Sequence, residues 1–194
     1  MAGTLTVQNL QGPSSGANAN KVIIPSGQTL YAAGHVVQVV QGTLGSTASG
    51  GGDSGNVWYD SGLSVSITPT SASSKILVSY TMHIGVSYYQ ARSRIVRNST
   101  VVGTGTNEGA RGEASSAYIL YDDVTATNEY RHAPLGISYL DSPSTTASLN
   151  YKIQVSAYTG NTWYVNRSYT FQNSGDYSYD SIPLSEITLM EIAQ

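Results

Sequence analysis

One feature limits the fold more than any other: apolar residues recur at every second position over long runs of the chain. Across residues 75–86, Ile76, Val78, Tyr80, Met82, Ile84 and Val86 fall on one face, and Leu77, Ser79, Thr81, His83 and Gly85 on the other. Successive Cβ atoms of an extended backbone point to opposite sides, so this pattern specifies a half-buried β-strand. Residues 148–158 repeat it, with Leu149, Tyr151, Ile153, Val155 and Ala157 opposed to Ser148, Asn150, Lys152, Gln154 and Ser156. In a third run Leu63, Val65 and Ile67 alternate with Ser64, Ser66 and Thr68. Pro69 ends that run, because proline has no N–H to give to a ladder.

No apolar pattern appears at helical spacing, and strong helix formers are thin against β-branched residues and tyrosine. Further strands are expected at residues 35–41, 91–97, 117–124, 134–140, 162–166 and 185–192. Turn residues cluster between them, at 70–74, 103–112, 141–146, 159–161 and 173–176. About nine short strands at this spacing predict an all-β chain, an antiparallel β-sandwich or jelly roll. Two regions stand apart. Residues 1–34 carry Leu5, Val7, Leu10, Val22 and Ile24 around a Gly/Ser-containing loop, too short a stretch to enclose a core. This extended segment either packs against the head domain at 35–194 or is covered by copies of itself, as an attachment or oligomerisation element. Residues 42–56, GTLGSTASGGGDSGN, read as a flexible Gly/Ser loop.

Composition narrows the functional classes. Only 11% of the 194 residues are charged, while 28 Ser and 19 Thr put a small hydroxyl at about a quarter of the positions. A typical domain is about 25% charged, so hydroxyls, amides and 15 tyrosines must cover much of this surface. Nine Lys and Arg against twelve Asp and Glu are too few cations to neutralise a phosphate backbone, which argues against nucleic acid as a partner. No apolar run reaches the ~18 residues of a membrane span, and MAGTLTVQNL lacks a charged-then-apolar signal pattern. With no cysteine, thiol catalysis, thiolate–zinc sites and disulfides are absent, which fits synthesis in a reducing cytoplasm.

Few residues carry a chemical signature. His35, His83 and His132 are far apart in sequence and have no metal-ligand spacing, so neither metal nor cofactor is expected. Asp122 and Asp123 would point to opposite faces of one strand, and nothing marks a general acid among Asp60, Asp123 and Glu113. No serine sits in a G-x-S-x-G elbow, and GTGTNEGARG at 103–112 lacks the ending of a phosphate loop. No catalytic residue is assigned. Arg92 and Arg94 share one strand face, with Arg97 close by. These arginines either pair with Asp122, Asp123 or Glu129 of a neighbouring strand or subunit, or form a forked site for an anionic sugar or phosphate.

The strongest binding signal is residues 168–181, SYTFQNSGDYSYDS. Tyr169, Phe171, Tyr177 and Tyr179 stand there beside Asn173 and Asp176, and Trp163 lies just upstream. Tyr164, Tyr158, Tyr88 and Tyr89 extend this aromatic set. Rings that stack on sugar faces next to groups that bond hydroxyls are what a glycan or adaptable protein contact requires. The competing reading is that these rings fill the sandwich interior or a subunit interface, since one Phe and two Trp leave tyrosine to supply bulk.

Several segments carry a family resemblance. LTVQNL followed by a Gly/Ser loop and VIIPSGQTLYAAGHVVQVVQ resembles the start of C-terminal domains in tail-fibre-like structural proteins of bacteriophages, especially marine phages infecting cyanobacteria. SGLSVSITPTSASSKILVSYTMHIG, ISYLDSPSTTASLNYKIQVSA and ITLMEIAQ are similar to the same family, so the likeness spans residues 5–41, 61–85, 137–157 and 187–194. The resemblance implies a virion component with a jelly-roll head, often homotrimeric, that projects from the particle and touches the host surface. Its partners would be copies of itself, other virion proteins and a host-surface glycan or protein. Residues 88–129 and 166–180 lie outside the resemblance and are where individual specificity would sit. A capsid decoration protein, and a glycan-binding or glycan-degrading β-sandwich of a cell, are the alternatives.

Overall fold

A computed structural model of the chain describes residues 8, 10–26, 32–53, 57–109, 111–120, 131–169 and 181–194. It divides into two compact units, Met1–Ala32 and Ala33–Gln194. The described residues of the first unit form no strand and leave Leu10, Val22, Ile23 and Ile24 exposed. Leu5 and Val7 lie outside the described residues.

The second unit is all-β among the described residues, and none of its elements is a helix able to cross a membrane. Its strands are β1 (Val36–Leu44), β2 (Ala48–Gly51), β3 (Tyr59–Ile67), β4 (Lys75–Val86), β5 (Tyr89–Arg97) and β6 (Thr100–Val102). There follow β7 (Ser116–Leu120), β8 (Ala133–Asp141), β9 (Leu149–Ala157), β10 (Thr162–Val165) and β11 (Ser185–Ile192). Every pairing is antiparallel, in two sheets.

The registers reduce eleven strands to eight positions. β4 pairs with β8 along one side, while β11 (against Lys75–Thr81) and β10 (against Ile84–Val86) lie end to end on the other. β1 and β2 follow the same broken line beside them. The first sheet therefore runs β1/β2, β10/β11, β4, β8. In the second, β3, β9 and β5 are followed by β6 and β7, which share the far side of β5. Numbered along the chain, the sheets are 1-8-3-6 and 2-7-4-5, which is jelly-roll connectivity.

The alternation decides which faces meet. Ile76, Val78, Met82 and Ile84 of β4 and Tyr151, Ile153 and Val155 of β9 are each fully or almost fully buried between the sheets, with Leu63, Ile95, Ile187 and Leu189. Each such side chain contributes about 1.5–3 kcal/mol of burial. Several polar groups inside this layer are paired, whereas the buried Trp163 Nε1 has no hydrogen-bond partner. The Tyr80 hydroxyl meets Ser93 Oγ at 2.8 Å, joining β4 to β5 across the core. Arg97 Nη1 donates to both Asp141 oxygens, at 2.8 and 2.6 Å, and Tyr151 OH donates to Asp141 Oδ2 at 2.6 Å, so three side chains tie the sheets together. At one end the wholly buried Glu191 accepts from Gln38 Nε2 and from the Thr70 amide and hydroxyl. Burial alone would raise that carboxyl, but these donors hold it below the ordinary range.

Two expectations change here. The stretch 42–56 is not a free loop: β1 runs through Leu44, and β2 occupies Ala48–Gly51. Gly42 continues an inward series with Val40 and Leu44, and a Cβ there would sit 2.5 Å from Ser64 O. It is a contact glycine in a crowded strand, not a flexibility signal. The second change is Arg97, which faces the interior, opposite to Arg92 and Arg94, because its odd place in β5 puts it beside Ile95 rather than Arg94.

The buried hydroxyls imply an alkaline limit to stability. Burial pushes Tyr80 up to about 12, and Tyr151 also lies above the ordinary tyrosine range, from burial and the Asp141 carboxylate. A raised folded-state pKa gives stability that is complete below the unfolded value and lost as pH rises through the folded one. The urea midpoint should therefore fall progressively above about pH 10, with Tyr80 alone accounting for about 3 kcal/mol. Tyr80→Phe should flatten that part of the curve; an unchanged alkaline slope would refute it.

Candidate functional site

The break in the β10/β11 line locates the candidate site. Val165 pairs with Ile84 and Glu186 with Thr81, so only Met82 and His83 of β4 span the gap between β10 and β11, where the chain inserts residues 166–184. The insertion thus leaves and rejoins a single strand line. Asn166 closes its root. It is 0% exposed, has a left-handed φ of 56°, and donates through Nδ2 to Leu44 O (2.6 Å) and Ser46 O (3.0 Å). Its Oδ1 accepts from Ser185 Oγ at 2.5 Å, and its amide donates to His83 O at 2.9 Å.

A second segment reaches the same place. On the outer face of the first sheet a Cβ at Gly85 would lie 2.6 Å from Arg167 O and 3.3 Å from Arg131 O, so both backbones pass directly over it. The His83 and His132 rings meet edge to face at 5.7 Å. Burial, with the neighbouring His132 charge adding to it, lowers the His83 pKa. Arg167 stacks on the Tyr164 ring at 4.5 Å, and Tyr169 packs on Tyr164 at 5.8 Å. Tyr169 itself is 45% exposed. Phe171, Asn173, Asp176, Tyr177 and Tyr179 lie outside the described residues.

Trp163, expected among the ligand-facing rings, is instead 4% exposed and packs against Tyr59 at 5.9 Å in the core. The reason is parity: Trp163 and Val165 point inward on β10, which leaves Tyr164 to face outward.

The outer face of the second sheet holds the other candidates. Arg92 and Arg94 share it as their spacing predicts, and both lie over the Trp58 ring, at 5.2 and 4.4 Å. Arg94 donates twice to Gln154 Oε1, Gln154 Nε2 donates to Asp60 Oδ1, and Lys152 Nζ to Asp60 Oδ2 at 2.8 Å. Those donors hold the Asp60 carboxyl below its ordinary value, while burial lowers both arginines. Arg92 Nη2 donates to Ser156 Oγ. The expected acidic partners Asp122, Asp123 and Glu129 lie outside the described residues. Trp58 is the partner that sequence reasoning missed; it precedes β3, which lies two positions from β5 in the sheet, and left no local signal.

A further aromatic group forms at the end of the sandwich. The Tyr88 and Tyr89 rings are 4.0 Å apart and Tyr89 meets Tyr158 at 5.0 Å, bringing the β4–β5 and β9–β10 turns together. Chemically, the described surface offers stacking faces and hydrogen-bonding groups; no cluster of three or more His, Asp or Glu forms a metal cage among the described residues. No family model matches the sequence, and neither does any curated protein.

Proposed function

We propose that this chain is a non-enzymatic structural protein of a phage virion, a subunit of a homotrimeric tail fibre or spike whose jelly-roll head meets the host surface. The first unit would attach the head to other virion proteins, and the protein would be made in the host cytoplasm and carried on the particle. The resemblance of residues 5–41, 61–85, 137–157 and 187–194 to tail-fibre-like proteins supports this reading.

The observation that carries self-assembly is a row of apolar side chains on the outer face of the first sheet. Val39 pairs with Met190, Met190 with Leu77, and Leu77 with Leu140, so one row crosses all four positions. Val39 and Leu140 are exposed. The outward face of an antiparallel sandwich sheet is ordinarily polar, and the next row, Gln41, Thr188, Ser79 and Ser138, is. Copies of the chain packed through this row would remove it from water, with little charge in the way.

Sedimentation of the purified chain should give a trimer, and immunoblots should find it in purified particles. Leu140→Asp should release monomers that keep the β-sheet circular dichroism signal. Tyr177→Ala with Tyr179→Ala should abolish adsorption while the trimer survives. A monomeric wild-type chain absent from particles would end this reading.

A further inference from the structure

We infer that the turn-bearing end of the sandwich holds a binding site for a neutral saccharide, formed by a small cleft lined by Tyr158, Asp53 and Asn161 together with the Tyr89 ring packed on Tyr158. This deepens the host-recognition reading and rests on it for its biological setting, but it places the ligand on described residues away from the strand insertion.

Three connections build the site. Gly51, Gly52 and Asp53 come from the end of β2, Tyr88 and Tyr89 from the β4–β5 turn, and Tyr158 and Asn161 from the β9–β10 turn. They are fastened to one another. Gly52 N donates to Asn161 O, Gly160 N to Asp53 O, Tyr158 N to Gln90 O, and Ser87 Oγ to Asn161 Oδ1. A site fixed before its ligand arrives loses less entropy on binding.

The rings are placed at a conformational cost. Tyr89 has a φ of 62°, a left-handed conformation that a bulky residue rarely adopts, and glycine or asparagine would meet the same turn with less strain. The strain delivers a ring that is 37% exposed, set edge to face against Tyr158, itself 46% exposed. Such a ledge offers apolar faces to the C–H side of a pyranose, while Asp53, Asn161 and the cleft backbone offer partners to its hydroxyls. Asp53 is the one charged side chain among the described residues that line the cleft, with no cation beside it there. An anionic sugar would meet the like charge of Asp53 there, so the cleft favours a neutral one.

The test is saturation-transfer NMR and titration of the full chain with neutral hexose- and N-acetylhexosamine-terminated oligosaccharides, with sialylated and phosphorylated ones alongside. Neutral sugars should bind, and Tyr158→Ala and Asp53→Asn should each weaken them by about tenfold. Tyr89→Gly should abolish binding with the urea midpoint held or raised, because it removes the ring and the backbone strain together. Binding restricted to the anionic sugars, absence of binding, or binding that survives Tyr89→Gly and Tyr158→Ala would overturn the inference. A trimer found in particles that binds no neutral sugar overturns the site alone; a sugar-binding monomer absent from particles overturns the virion reading alone.

Discussion

Replacing Asp141 by alanine should cost the fold about 3–5 kcal/mol, the largest loss expected from any single charge in the chain. Asp141 is 4% exposed, and its carboxylate serves three donors: Arg97 Nη1 through both oxygens, Tyr151 OH at 2.6 Å and the Ser142 amide at 2.9 Å. Its removal leaves a guanidinium between the sheets without a counter-charge, and a wholly buried phenol without an acceptor. The penalty comes from what is left behind rather than from the intrinsic worth of the ion pair. Arg97→Met combined with Asp141→Leu and Tyr151→Phe should therefore recover most of the loss. Urea denaturation monitored by circular dichroism reads both. A loss below about 1 kcal/mol for Asp141→Ala would mean the pair is effectively solvated.

What the sequence made legible, and what it did not, divides along the same physical line. Alternation in 75–86 and 149–157 identifies both strands and their inward faces, because one buried face with period two leaves no other register. The short strands β2 and β6 escape that logic, having too few residues to show a period, and glycines disguise β2 as a loop. Val40, Gly42 and Leu44 did carry a signal for the extended β1, visible only if glycine is allowed an inward position. Parity also separates Trp163 from Tyr164 and Arg97 from Arg94, yet applying it requires knowing which face of each strand is inside. For β10, four residues long, the sequence alone does not say. The candidate site is less legible still. Tyr88, Tyr89 and Tyr158 are evident as aromatic residues, but their meeting depends on two turns brought together by the jelly-roll connectivity. Arg92 and Arg94 on Trp58 depend likewise on long-range pairing.

Asn166 gives the second large effect, and it tests the architecture of the strand break directly. In sequence it is the first residue of an Asn-Arg-Ser triplet; in the fold its side chain joins the β1/β2 line to the β10/β11 line, and its backbone N–H reaches β4. Alanine there would orphan the Leu44 and Ser46 carbonyls and the Ser185 hydroxyl, each worth about 1 kcal/mol. It would also hold an alanine at a φ of 56°, adding about 1–2 kcal/mol. Asn166→Ala should thus destabilise by roughly 3–5 kcal/mol in urea denaturation. Asn166→Gly keeps the hydrogen-bond loss but relieves the backbone, and should recover about 1 kcal/mol of it. Asn166→Asp keeps the acceptor for Ser185 but turns a carboxylate oxygen toward two carbonyls, so it should be no better than alanine at neutral pH and should improve as pH falls and the acid protonates. That order, with glycine above alanine and aspartate gaining stability on acidification, separates a hydrogen-bonded strand suture from simple side-chain packing, for which aspartate would be the mildest of the three changes at every pH.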